Sequence, residues 1–114
     1  NGRVLLLANG GMPWTRVVLQ EMPDVLLVVY PETGRTQHQI RTVPAAEGSF
    51  ASRMDLPREW AGLRDEQLAS VTGVPDAVFC HSNLFIAGAR TLEGALRMAD
   101  LAPQAGLADR EDRG

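Results

Sequence analysis

The sequence predicts an α/β fold: a mixed sheet of four or five strands with helices packed on it, in the order β-α-β-β-α-β-α. Three observations predict it. Short apolar runs closed by turn residues alternate with stretches of helical period, the pattern of βαβ units. A chain of 114 residues, 45% apolar and 22% charged, has the size and composition of one soluble domain with a single core. One cysteine and two histidines leave neither a disulfide framework nor a Cys/His zinc pattern to hold it instead.

The first strand is "RVLLLA" (3–8), an apolar run of the kind buried on both faces, closed by Asn9-Gly10-Gly11. A helix follows. Pro13 suits its first position, Trp14, Val17, Val18 and Met22 recur at near-helical spacing, and Pro23 stops it. "VLLVVY" (25–30) is the second strand, which makes the opening third a β-α-β unit with parallel strands and a right-handed crossover. "PETGRT" (31–36) then reads as a hairpin into an alternating third strand, "TQHQIRTV" (36–43).

Residues 44–57 have no sustained period and form a long connection, a place where function often sits. From Pro57 to Thr72, Trp60, Leu63, Leu68 and Val71 can share one helical face, with Gly62 able to split the segment and Gly73 to cap it. "DAVFCH" (76–81) is the next strand. Asn83 tolerates a left-handed turn, after which "LFIAGA" can continue the sheet. Thr91 caps the last helix, whose Leu92, Ala95, Leu96 and Ala99 follow the i, i+3, i+4, i+7 rule while Glu93 and Arg97 pair outside. The pattern fails after Pro103. The expected division is one domain over 1–106 and a disordered tail over 107–114.

Composition narrows function only a little. A net charge of −3 gives no general attraction to nucleic acid, so a polyanion would have to meet a local patch. All eleven basic residues are Arg, which suits bidentate contacts to phosphate or carboxylate, although a compositional bias accounts for it as well. No run approaches a membrane span, so a membrane partner is not expected, and the cytoplasm is the expected location. The start lacks Met and suggests a fragment.

Each candidate site has a bland counterpart. "ANGGMPW" lies between strand and helix, where backbone N–H groups can cradle phosphate, but Pro13 removes a donor and favours an ordinary turn. His81 ends a strand, and ligands in open α/β sheets collect at carboxyl ends; spacing alone favours a structural histidine. His38, in the alternating strand, ranks below it. Gly88 allows close backbone approach, Arg90 offers a fork for an oxyanion, and Thr91 opens a helix; Glu93 opposes an anion there. Arg53 in the long loop could reach the same sheet end. Cys80 alternates with His81, which argues against a Cys–His nucleophile pair, and no carboxylate cluster has a two-metal layout.

From "GSFASRMDLPREW" through "FIAGARTLEGALRMA" the chain resembles the C-terminal part of the family named for the melanocyte proliferating gene 1 product, in the DHH phosphoesterase superfamily. Ser49-Phe50, Ser52-Arg53, Leu56-Pro57, Trp60, Gly62-Leu63, Gly73, His81, Phe85-Ile86, Gly88, Thr91 and Glu93-Gly94-Ala95-Leu96 carry the likeness. The resemblance implies the fold of a DHH-associated C-terminal domain. It implies an exonuclease or phosphoesterase whose manganese or magnesium ions sit in a separate DHH-type catalytic domain, in cis or trans. This chain would then be a substrate-binding domain without catalytic residues or metal of its own. Its partner would be the phosphate of a nucleotide or single-stranded nucleic acid, touched by His81, Gly88 and Arg90, with Thr91 and Arg53 behind them. The chain departs from the family at Leu84, where a glycine is usual, at Ala87 of the paired glycines, and at Ala89. These replacements leave open a second reading, a small interaction module that has kept the fold and lost the ligand.

Overall fold

A computed structural model describes residues 3–7, 14–32 and 37–112, with side chains described as far as residue 103. The strands are β1 (Val4–Leu6), β2 (Leu27–Pro31), β3 (His38–Thr42), β4 (Ala77–Cys80) and β5 (Ile86–Ala89), and the helices α1 (Thr15–Glu21), α2 (Asp65–Thr72) and α3 (Leu92–Asp112). They form one open five-stranded sheet in the order β1-β2-β3-β5-β4. Only β1 and β2 are parallel; every other neighbouring pair is antiparallel.

The strand alternation sorts two cores. Leu27 and Val29 of β2, Ile40 of β3 and Ala87 and Ala89 of β5 face α3, α2 and the turn around Trp60. Val28, Tyr30 and Val43 face the other way, onto Val18 of α1 with Leu5, Leu7 and Trp14. Each such Leu or Ile taken fully from water contributes about 1.5–3 kcal/mol. Because α1 packs on the β1–β2 half, its face of the sheet carries Gln39, Arg41, Phe79, Ile86 and Gly88 farther along, outside both cores.

The predicted order holds up to β4, after which "LFIAGA" adds a fifth strand and the observed order is β-α-β-β-α-β-β-α. The segment after Pro57 does split at Gly62 (φ +71°) into a 3₁₀ turn at Arg58–Trp60 and α2, and Gly73 (φ +75°) caps α2. The proposed Pro13 start of α1 and the turn at 33–36 lie outside the described residues. Three expectations are corrected. The left-handed residue between β4 and β5 is Leu84 (φ +62°), not Asn83. The buried face of α3 is Ala95, Met98, Ala99 and Ala102, whereas Leu92 and Leu96 stay more than a third exposed; small residues let the helix sit close to the sheet, so the leucines are pushed to its flanks. Finally, α3 continues past Pro103 to Asp112, with the rung to the Ala99 carbonyl missing because proline has no N–H.

Candidate functional site

Strand direction divides the candidate residues between two edges of the sheet. One edge, here the upper, holds the carboxyl ends of β1 and β2, the start of β3 and the end of β5; the lower holds the end of β4. His81 follows β4, which runs against β1 and β2, so it lies at the lower edge. Arg90 and Thr91 follow β5 and lie at the upper one. The backbone from Ile86, which pairs with His81, to Arg90 spans about 13 Å at ~3.3 Å per residue, and His81 and Arg90 do not converge on one ligand atom.

At the lower edge the β4–β5 turn fixes His81. The His81 backbone N–H donates to the Ile86 carbonyl at 2.9 Å, and the Leu84 N–H donates to the His81 carbonyl at 2.9 Å. Closing so short a turn forces positive φ at Leu84, a conformation that favours glycine. The imidazole is exposed, and its Nδ1 accepts the Asn83 backbone N–H at 2.9 Å, which places the ring proton on Nε2 and presents an N–H donor to solvent. Its ring lies 4.8 Å from that of Phe85, tilted by 59°, and the exposed Arg41 guanidinium sits 5.9 Å over the Phe85 ring, within cation–π range. A donor, an aromatic ring and a guanidinium therefore share one patch.

At the upper edge Asp76 ties α3 to the sheet. Its backbone carbonyl accepts the Arg90 N–H at 2.9 Å, and its Oδ2 accepts both the Thr91 N–H at 3.0 Å and the Thr91 hydroxyl. The Thr91 Oγ1 in turn accepts the Gly94 N–H at 3.0 Å, the cap the sequence predicts. Thr91 is thus committed to the fold, while Arg90 is exposed. Beside them an open hollow of about 400 Å³ is lined by Leu6, Leu7, Pro31, His38 and Leu92. His38 pairs across the strands with Pro31 and Ala89, and its Nδ1 is buried with no hydrogen-bond partner among the described residues. Sequence reasoning ranked this histidine second because it could not see that β3 begins at the edge where β1 and β2 end.

The remaining candidates serve packing. A Cβ on Gly88 would lie 2.7 Å from Cε1 of Phe79, so the space the glycine leaves is taken by that ring. The Arg53 guanidinium donates through Nη1 to the Met22 carbonyl at 2.8 Å and the Val25 carbonyl at 2.7 Å, and through Nη2 to the Val18 carbonyl at 3.3 Å. It ties the long loop to the end of α1 and to the turn that follows, adding second donors to the Val18 and Met22 carbonyls, which already accept the Met22 and Val25 N–H groups, and reaching the Val25 carbonyl beyond the helix. Cys80 points into the core, and burial pushes its thiol up to about 11, which keeps it protonated and unreactive at neutral pH. Among the described residues no three His, Cys, Asp or Glu side chains converge as a metal site requires. The described residues thus offer no ligand set that fits a manganese or magnesium pair. Among the described residues no helix is long and apolar enough to cross a membrane.

The family model described as "Uncharacterised protein family (UPF0160)", MYG1_exonuc, matches residues 1–102. The chain belongs to this MYG1 family. It is 40% identical over 105 residues to the human MYG1 exonuclease, covering 87% of this chain and 28% of that protein, and 39% identical to the rat MYG1 exonuclease over the same length, 27% of that protein. The MYG1 protein of Dictyostelium discoideum is 41% identical over 105 residues, 87% of this chain and 31% of its own. The chain therefore spans about a third or less of the MYG1 relatives it matches. No solved structure matches it.

Proposed function

We propose that this chain is a strand-gripping domain of a MYG1-family exonuclease, binding single-stranded nucleic acid at the lower edge of its sheet and leaving hydrolysis to another part of the protein. The observation that carries this reading is the His81–Phe85–Arg41 patch. A phosphate oxygen accepts the outward Nε2–H of His81, a base stacks against Phe85, and Arg41 supplies a local positive charge on a chain that is net acidic. The names of the human and rat relatives support the choice of nucleic acid as ligand. Catalysis belongs, in this reading, to a DHH-type domain acting in cis or trans in the cytoplasm, which would hold the manganese or magnesium. Arg90 contributes at most from the far edge, and Gly88, Thr91 and Arg53 act through the fold.

The test is an NMR titration of the chain with a short single-stranded oligonucleotide at low salt. Shifts should centre on His81, Phe85 and Arg41, and His81→Ala with Arg41→Ala should weaken binding by about tenfold or more, the worth of one charged hydrogen bond. Shifts absent at millimolar oligonucleotide, or equally strong binding by the double variant, would overturn the reading.

One observation favours the interaction module instead. Phe50 is fully exposed at the tip of the 44–53 loop, in a turn held by the Ala51 N–H donating to Ser49 Oγ at 3.0 Å and by the Ala45 N–H donating to the Ala51 carbonyl at 2.7 Å. A rigidly presented aromatic is a common protein-interface anchor. Self-association in sedimentation that Phe50→Ser abolishes, together with no oligonucleotide binding, would favour it.

A further inference from the structure

We infer that the upper hollow is a second site, distinct from the His81 patch, and that it takes the base of a nucleoside monophosphate, with His38 as its polar contact. Three independent features meet there. Leu6 and Leu92, 50% and 36% exposed, are two of the large apolar side chains the fold leaves in water, and both line this hollow. Covered by a flat ring, they would lose that exposure. The hollow's volume of about 400 Å³ falls within the range of small-molecule sites, and its walls are apolar except for one imidazole, the balance such sites show. It also stands outside the carboxyl ends of the parallel pair β1 and β2, next to the antiparallel β3, the place in an open α/β sheet where ligands collect.

His38 decides the class of ligand. Its Nδ1 is sealed in the sheet without a partner among the described residues, and a lone pair left unpaired there costs less than an unpaired N–H. The proton then sits on Nε2, and the ring offers one N–H donor. Set among Leu6, Leu7, Pro31 and Leu92, which give a charge nothing to pair with, this donor suits a neutral acceptor on a planar, otherwise apolar guest, and the ring nitrogens and carbonyls of nucleobases are acceptors of that kind. Ala89, directly across from His38, adds only a methyl group, and the exposed Arg90 follows it at the same edge, available to the phosphate of the same nucleotide. The choice of a nucleotide over another heteroaromatic rests on the nucleic-acid reading above, since a nucleoside monophosphate is the unit an exonuclease releases.

Adenosine 5′-monophosphate is the probe, with ribose 5-phosphate as the control lacking a base. In an NMR titration of the chain, adenosine 5′-monophosphate should shift the His38 ring and the methyl groups of Leu6 and Leu92. His38→Phe, which keeps a flat ring and removes the donor, should weaken binding by about tenfold while amide shifts of β3 and β5 confirm the sheet. Should His38→Phe disturb the sheet, the ring shifts of the unmodified chain decide alone. Equal shifts with ribose 5-phosphate, unchanged affinity in a folded His38→Phe variant, or no response of His38, Leu6 and Leu92 would each overturn the inference. The two sites fail separately: oligonucleotide shifts at His81 and Phe85 with a silent His38 would remove the hollow and leave the strand-gripping reading intact. Shifts at His38 with a silent His81 patch would do the reverse.

Discussion

Gly94→Ala sets helix propensity against packing, and the Asp76 latch predicts that packing wins. Alanine is favoured over glycine in a helix by up to about 1 kcal/mol, so on propensity the substitution should stabilise the first turn of α3. The Cβ it adds, however, would overlap the Asp76 carboxylate, which is held in place by the Thr91 N–H and hydroxyl. Neither side can retreat without breaking that cap. An overpacked contact of this kind costs about 1–3 kcal/mol, so the net change is a loss of about 0–2 kcal/mol. The discriminating measurement is a double-mutant cycle by urea unfolding. With Asp76→Ala already in place the carboxylate is gone, and Gly94→Ala should then stabilise by up to the full ~1 kcal/mol, which gives a coupling energy of about 1–3 kcal/mol between the two positions. Gly94→Ala stabilising both backgrounds equally would refute the latch.

Four further outcomes follow from single contacts. Arg53→Ala should cost about 2 kcal/mol in urea unfolding by removing the three bonds that tie the long loop to the end of α1 and the turn after it, and Arg53→Lys should recover little of it, because one ammonium cannot reach three acceptors; a ligand-binding Arg53 would instead leave stability unchanged. Gly88→Ala should destabilise by about 1–3 kcal/mol through the Phe79 ring, and Phe79→Leu in the same chain should relieve most of that loss. Cys80 should resist thiol reagents at pH 8 in the native state and react on unfolding. Stability should also fall as pH rises from about 9.0 towards about 11, because the unfolded thiol ionises first and the folded one is held neutral by burial; a flat profile across that window would contradict the burial.

The fold was legible because its signals are local. Apolar runs at 25–30 and 76–81, the helix stop at Gly73 and the break at Gly62 each follow from the residue types at those positions, and each stands where such chemistry predicts. What escaped depends on tertiary context. Leu92 and Leu96 satisfy the helical spacing rule, yet the close approach of Ala95, Ala99 and Ala102 to the sheet leaves them at the rim. Asn83 is the better left-handed residue by propensity, yet the hydrogen bond from the Leu84 N–H to the His81 carbonyl fixes the turn so that Leu84 adopts it. Arg53 carried no sign in its neighbours that it would reach back 28 to 35 residues to the end of α1 and the turn after it.

The two histidines show why a site is harder to read than a strand. The rule that ligands gather at carboxyl ends of strands applies to parallel strands, which share one end. His81 does end a strand, but β4 is antiparallel to its neighbour β5 and delivers His81 to the edge opposite the ends of β1 and β2. His38 begins a strand, which argues against it by the same rule, yet an antiparallel β3 starts where β2 finishes and sets His38 directly across from Pro31. Strand order, fixed only by which runs pair across the whole sheet, thus decides which histidine stands over the crevice. The sequence names both residues and holds nothing local that could rank them; the edge each one occupies is what separates the ligands proposed for them, a phosphate with stacked base at the His81 patch and a base in the open hollow at His38.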